Sequence, residues 1–261
     1  MIVWMPWQSA MAGINSSNWR TEIMCARLAE APALGWAQYY NAMGFGLWRG
    51  LAPRYNVPPT GLLACVRPGD GRRSAFVAQW GLIPGWAKDR KFGAQCSNAR
   101  SETVDTKPAF RVAFKTRRCL IAANGFYEWD QKHHSKGQPK QPYYFTLRDG
   151  NPITFAGLWE SWQPSAGQPP LETCTIITCV PNEIMEPLHD RMPVLLPESL
   201  WDVWLDPDVE ASSLKTLLVP YSSDAMTCWP VSSRVNNVRN ESPDLIEPIR
   251  LTPPPRQTEL F

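Results

Sequence analysis

Six short runs rich in β-branched and aromatic residues set the limits on this fold. They are LLACV (62–66), SAFVAQW (74–80), RCLIAA (118–123), YYFTL (143–147), ITFAGLW (153–159) and TCTIITCV (173–180). Each is bounded by Pro, Gly, Asn or Asp clusters, the punctuation that ends strands. The intervening segments predict helices at 34–48, 108–115, 182–188, 199–205 and 211–218. Gly44 and Gly46 weaken the end of the first. This order is mixed and lacks the regular βαβ alternation of a parallel sheet. It predicts an α+β chain with a mostly antiparallel, barrel-like β core and peripheral helices. No internal repeat is visible.

Composition narrows the class. With 261 residues, 44% hydrophobic and 19% charged, the chain can bury a substantial core and is not disordered. No apolar run is long enough to span a bilayer, so no membrane association is expected. The apolar start MIVWMPWQSA lacks a basic flank and a long apolar stretch, and does not read as a secretory signal. Seven cysteines without a CxxC pair fit neither a disulfide frame nor a zinc site, and a reducing cytoplasm is expected. Positions 88–118 hold nine Lys/Arg against three acids, a local +6 in a chain of net +2. Such a stripe is either a solvated face or a surface for a polyanion such as nucleic acid.

Four segments could carry chemistry. WGLIPGWA (80–87) sets two tryptophans around a Pro-Gly turn. SNARSETV (97–104) puts Asn98, Arg100 and Glu102 on alternate positions. NGFYEWD (124–130) holds Glu128 among aromatics. PLHDRMPVLL (187–196) sets His189 beside Asp190 and Arg191. Each also has a purely structural reading. Trp80 and Trp86 serve as core in a Trp-rich chain. Asn98 reads equally as a turn amide. Glu128 in apolar surroundings calls for a partner, and Arg100 or Arg118 would serve. His189 can cap a helix end or bond Asp190. His133 and His134 fall in a polar hairpin loop. Cys65, Cys96, Cys119, Cys174, Cys179 and Cys228 read as small buried hydrophobes. Cys174 and Cys179, five apart on a strand, face opposite ways and cannot chelate one metal together.

MCARL (24–28), RYNVPPT (54–60), WGLIPGWA, NARSET, GFYEW, LHDRMP and WPVSSRVNNVRN (229–240) occur in this order. The ordered set resembles the SRAP family (SOS response-associated peptidase domain), the abasic-site DNA–protein crosslinking proteins, over 24–249. The family's start, Met-Cys-Gly-Arg-Phe, matches 24–28, with Ala26 and Leu28 in place of Gly and Phe. Pro58 stands where the family's YNVAP turn has Ala. The resemblance implies loss of Met24 and a terminal cysteine, Cys25, whose α-amine condenses with the abasic aldehyde. Its thiol then closes a thiazolidine. An α-amine, with a pKa of about 7.7–8, is partly neutral at neutral pH, whereas a lysine at about 10.4 is not. Amine and thiol on one residue make ring closure intramolecular. The same resemblance makes Asn98, Glu128 and His189 the supporting catalytic residues. It assigns Arg27, Arg100 and Arg191 to phosphates, and Trp86 and Asn56 to the path of single-stranded DNA. It implies no cofactor and no metal. The other readings of the same residues are a thiol peptidase using Cys25 and His189, acting on other chains or only on itself, and a noncovalent single-strand binder.

Cys25 lies within TEIMCARL (21–28). Residues 1–23 are expected outside the fold, with translation starting at Met24; the alternatives are a leader removed before Cys25 or an inactive copy. The tail 250–261 is Pro-rich and ends Gln257-Thr258-Glu259-Leu260-Phe261. It resembles the bacterial sliding-clamp peptide Gln-x-x-Leu-Phe, with Gln257, Leu260 and Phe261 as anchors. A cytoplasmic, nucleoid-associated monomer is expected.

Overall fold

The computed structural model describes residues 27–31, 41, 43–44, 52–69, 72–133, 137–165 and 167–251. Twelve strands run in chain order: β1 (Arg27–Glu30), β2 (Arg54–Val57), β3 (Leu62–Gly69), β4 (Arg72–Trp80), β5 (Asn98–Arg100), β6 (Arg118–Ala123), β7 (Gly125–Trp129), β8 (Pro142–Leu147), β9 (Ile153–Trp162), β10 (Leu171–Cys179), β11 (Met192–Pro193) and β12 (Met226–Pro230). Three short α-helices lie wholly within the described residues: α1 (Arg111–Thr116), α2 (Trp201–Leu205) and α3 (Ala211–Lys215).

One sheet follows the order β11-β10-β4-β3-β6-β9 and closes on itself because β9 also pairs with β10. The five strands β10, β4, β3, β6 and β9 therefore form a small barrel. All its pairings are antiparallel except β10 with β4, and β5 joins β10 from outside in parallel. This is the α+β, barrel-like core expected from the sequence. Cys65, Cys119 and Cys174 lie inside it, fully buried, with the Cys65 sulfur touching the other two. Gly157 faces Cys119 across the β6–β9 pair, and a Cβ there would lie 2.9 Å from the Cys119 sulfur.

The second sheet is antiparallel, in the order β12-β8-β7-β1-β2. Its strands alternate between two faces. Leu28, Phe126 and Phe145 join the main core, whereas Ala29, Tyr127 and Tyr144 pack with Val231, Val235 and Leu245 from the C-terminal segment. By the same alternation Glu128 falls on the core side, and Arg27 and Trp129 on the other. Strand β2 is an edge. The Glu241 carboxylate covers its amides, accepting from Tyr55 N (2.7 Å) and Asn56 N (3.1 Å).

Five of the six expected strands extend by a few residues at one or both ends, and RCLIAA matches β6. The helices near 108–115, 199–205 and 211–218 are present but short. The expected helix at 182–188 is instead a run of turns. Asn182 caps Met185 and Glu186 through its side chain and carbonyl, and Pro187 removes the next donor, so one turn is all that fits. Most of 34–48 lies outside the described residues, although Asn41 and Met43 within it are helical. Among the described residues no helix is long and apolar enough to cross a membrane.

Candidate active site and nucleic-acid interface

The two tryptophans of WGLIPGWA part company. Trp80 is fully buried, and its Nε1 donates to the carbonyl of Ser97 at 2.8 Å. Ile176 N donates to the same carbonyl. Together they fix the residue before Asn98, so that β5 docks with Asn98 opposite Ile176 and Arg100 opposite Thr178. Trp86 is 57% exposed and stands edge-to-face on Phe92, with centroids 5.1 Å apart. The two rings form part of an open cleft of about 480 Å³ shared with Lys88, Asp89, Lys91 and Gln95. An aromatic platform between lysines suits a nucleobase with its phosphate. Phe92, as the support of Trp86, was not singled out in the sequence; its six-residue spacing from Trp86, across a charged loop, gives no periodic signal.

Glu128 is buried at 2% exposure, and its Oε1 accepts the backbone N–H of Trp129 at 3.1 Å. Two residues beyond Trp129, Gln131 N donates to the Leu188 carbonyl at 2.9 Å. That bond ties the end of β7 to the loop carrying His189. The loop is also tied to β10 and to the turn after β5. The Arg191 guanidinium grips both carboxylate oxygens of Glu102, one at 2.8 Å, and donates to the Thr178 carbonyl at 2.7 Å. The segments bearing Asn98, Glu128 and His189 are therefore cross-linked at one end of the barrel, although 98 and 189 are far apart in sequence. Arg118 takes no part. It is buried and donates to the carbonyls of Phe114, Lys115, Trp204 and Asp206. Arg117 pairs with Glu160, and Arg90 bonds Gln79. The basic stripe counted along the chain is thus partly internal, while Arg100 remains exposed.

His189 is nearly buried. Its Nδ1 accepts the backbone N–H of Arg191 at 3.1 Å and lies 2.9 Å from Asp190 Oδ1. The first contact suits a neutral ring with its proton on Nε2; the second suits a ring protonated on Nδ1. Glu102, beside Arg191, has its pKa lowered by the guanidinium's hydrogen bonds. Burial raises the nearby Cys179 thiol to about 12, which keeps it protonated.

Arg27 sits on β1 with its guanidinium 5.6 Å from the centre of the Trp129 ring. Burial pulls its pKa down, and its Nε has no hydrogen-bond partner among the described residues. Asn56 is fully buried, and its amide nitrogen donates to the carbonyls of Val235, Asn237 and Asn240. Its side chain is thus bound up with the chain's own backbone. Cys25, His134 and the tail residues Gln257, Leu260 and Phe261 lie outside the described residues. Among the described residues no cluster of three or more His, Cys, Asp or Glu could hold a metal ion.

Comparison with known proteins agrees with this arrangement. The family model described as "SOS response associated peptidase (SRAP)" matches residues 24–238. The abasic site processing protein YoqW of Bacillus subtilis is 45% identical over 197 residues, covering 75% of this chain and 86% of its own. The abasic site processing protein HMCES of Gallus gallus is 35% identical over 200 residues, covering 67% of this chain and 58% of its own. A solved protein of Bordetella bronchiseptica superposes with a TM-score of 0.66 at 26% identity, covering 80% of this chain and all of the other. One from Bacteroides thetaiotaomicron, 23% identical, shares the fold with a TM-score of 0.73 over 87% of this chain and all of the other. The barrel, the flanking sheet and the ordered motifs on them thus have one explanation: the chain belongs to the SOS response associated peptidase (SRAP) family.

Proposed function

We propose that this protein processes abasic sites in single-stranded DNA, and does so by covalent capture through Cys25. The observation that carries the reading is the joining of the Asn98, Glu128 and His189 segments, with β1 starting at Arg27 opposite Tyr127, the residue before Glu128. Relatives named as abasic site processing proteins support the abasic-site part of this reading. In the reaction the sugar ring opens to its aldehyde, with Glu128 and His189 moving the proton to and from the ring oxygen. The Cys25 α-amine adds to the carbonyl carbon, and the carbonyl oxygen leaves as water, giving an imine. The Cys25 sulfur then adds to the same carbon while the imine nitrogen takes the thiol proton. One C–N and one C–S bond form, one water departs, and no electrons are exchanged with an outside reagent. Asn98 hydrogen-bonds the sugar. Trp86, Lys88, Lys91 and Arg100 guide the strand, with Arg27 and Arg191 on flanking phosphates. Arg191 would exchange part of its hold on Glu102 for DNA.

The chemistry needs a free amine on Cys25, so nothing can precede it in the active form. Protein beginning at Cys25 is mixed with single-stranded DNA bearing one abasic site and run on a denaturing gel. A resistant band is expected, lost in Cys25→Ala and in protein that retains residues 1–24, and slowed in Glu128→Ala. Absence of the band in the Cys25-initiated protein sinks covalent capture. Binding without a band would favour a noncovalent strand binder, and peptide hydrolysis retained when the amine is blocked would favour a thiol peptidase. The tail Gln257-Thr258-Glu259-Leu260-Phe261 is read as a sliding-clamp peptide; deleting 257–261 should abolish clamp binding, and unchanged binding removes that reading.

A further inference from the structure

Two of the ordered motifs, RYNV and SSRVNNVRN, acquire no chemical role from the reaction above, yet the structure binds them together beneath one arginine. Asn56 in β2 directs its amide nitrogen at the carbonyls of Val235 (3.1 Å), Asn237 (3.0 Å) and Asn240 (3.1 Å). An amide has two hydrogens, so three acceptors at these distances crowd the turns on either side of Asn236 around a single buried point. Glu241 adds a second tie to the same strand through Tyr55 N and Asn56 N. The segment is thus strapped to β2 both before and after Asn236.

What the strap holds out is the Asn236 side chain. Its Oδ1 accepts the indole N–H of Trp129 at 2.7 Å. Trp129 belongs to β7, packs against the small cluster of Tyr127, Tyr144 and Val235, and lies under the Arg27 guanidinium. An indole held at its N–H cannot turn over about its long axis, so its face stays toward Arg27. No carboxylate pairs with Arg27 among the described residues, and a cation held on a ring keeps its N–H groups for an incoming anion.

We propose that Asn236 is a positioning residue for Arg27, acting through the Trp129 indole, and that Asn56 positions Asn236. The role is to keep a partly desolvated guanidinium aimed at one phosphate of a single strand. It rests on the reading that Arg27 meets a phosphate. A purely structural Asn236 would only join a turn to a strand, and the two roles differ in what salt does to binding.

The test uses single-stranded DNA without an abasic site, so that binding is read apart from any covalent step. Affinity is measured across a salt series for the wild type, Asn236→Ala, Trp129→Phe and Arg27→Gln. Trp129→Phe keeps an aromatic face and removes the N–H. Loss of one single-strand phosphate contact makes the slope of log affinity against log salt shallower by about 0.7. Arg27→Gln should show that change in full, and Asn236→Ala and Trp129→Phe most of it. In the Arg27→Gln background, Asn236→Ala should change nothing further. A wild-type slope in Asn236→Ala beside a shallower slope in Arg27→Gln overturns this inference alone. A further loss from Asn236→Ala in the Arg27→Gln background also overturns it. A wild-type slope in Arg27→Gln removes the phosphate reading of Arg27 and the positioning role with it.

Discussion

Two arginine–glutamate pairs in this molecule behave in opposite ways. Glu30, on β1, pairs with Arg54 on β2 and accepts the Ala64 amide at 3.1 Å; its side chain is 4% exposed. Glu102, after β5, pairs with Arg191 and is 47% exposed. Burial lifts Glu30 to about 7 despite the adjacent guanidinium. At Glu102 the guanidinium's hydrogen bonds outweigh the slight desolvation, and the pKa falls. The chemistry of the two pairs is the same, so the surrounding medium sets the sign. The buried pair joins two strands behind the candidate site. The rim pair lies at the surface, its Arg191 two residues beyond His189 in the chain.

The largest expected effect comes from breaking the buried pair on one side. Arg54→Met leaves Glu30 buried without its cation; the carboxyl then stays protonated, and loss of the charge-assisted hydrogen bond should cost about 1–3 kcal/mol at neutral pH, read by urea unfolding. The cost should shrink in acid, where Glu30 is protonated; a pH-independent loss would mean that packing, not charge, dominates. Next comes the pH slope. A carboxyl raised by folding stabilises the fold below its ordinary value near 4.5 and loses that contribution as the pH rises through about 7. Wild-type stability should decline across that window, and Glu30→Gln should remove the decline. The smallest effect belongs to the rim. Glu102→Gln should cost about 0–1 kcal/mol at neutral pH. A carboxyl lowered by folding contributes above its ordinary value and loses that contribution as the pH falls through the folded one. The gap between Glu102→Gln and wild type should therefore close in acid. A gap that widens there would break the comparison.

The strands of the barrel were readable because their residues are buried by local pattern and ended by turn residues. Strand β1 was not. RLAE has little intrinsic preference for a strand, and β2 and β7 impose that form by pairing on both sides. Strand β12 ends in Pro230, which its place at a sheet edge tolerates. The candidate residues Asn98, Glu128 and His189 were legible only as members of an ordered motif set, because the contacts that join their segments are long-range. The same limit hid Arg118. Its acceptors Trp204 and Asp206 lie 86 and 88 residues away, so the chain showed only one more basic residue in a stripe. Trp129 lay in plain view in GFYEW, and alternation along the strand would have put it on the face opposite Glu128; its place beside Arg27 depends on the β1–β7 pairing.

The carboxylate of Glu241 on the outer amides of β2 has a consequence for the protein in a crowded cell. An uncovered strand edge is a template on which another chain can add itself, and repetition of that step leads to aggregation. Here two donors of the edge are occupied by an acidic side chain of the same molecule, which also brings negative charge to meet any approaching carbonyl. The five-stranded sheet is thereby kept from growing at that edge.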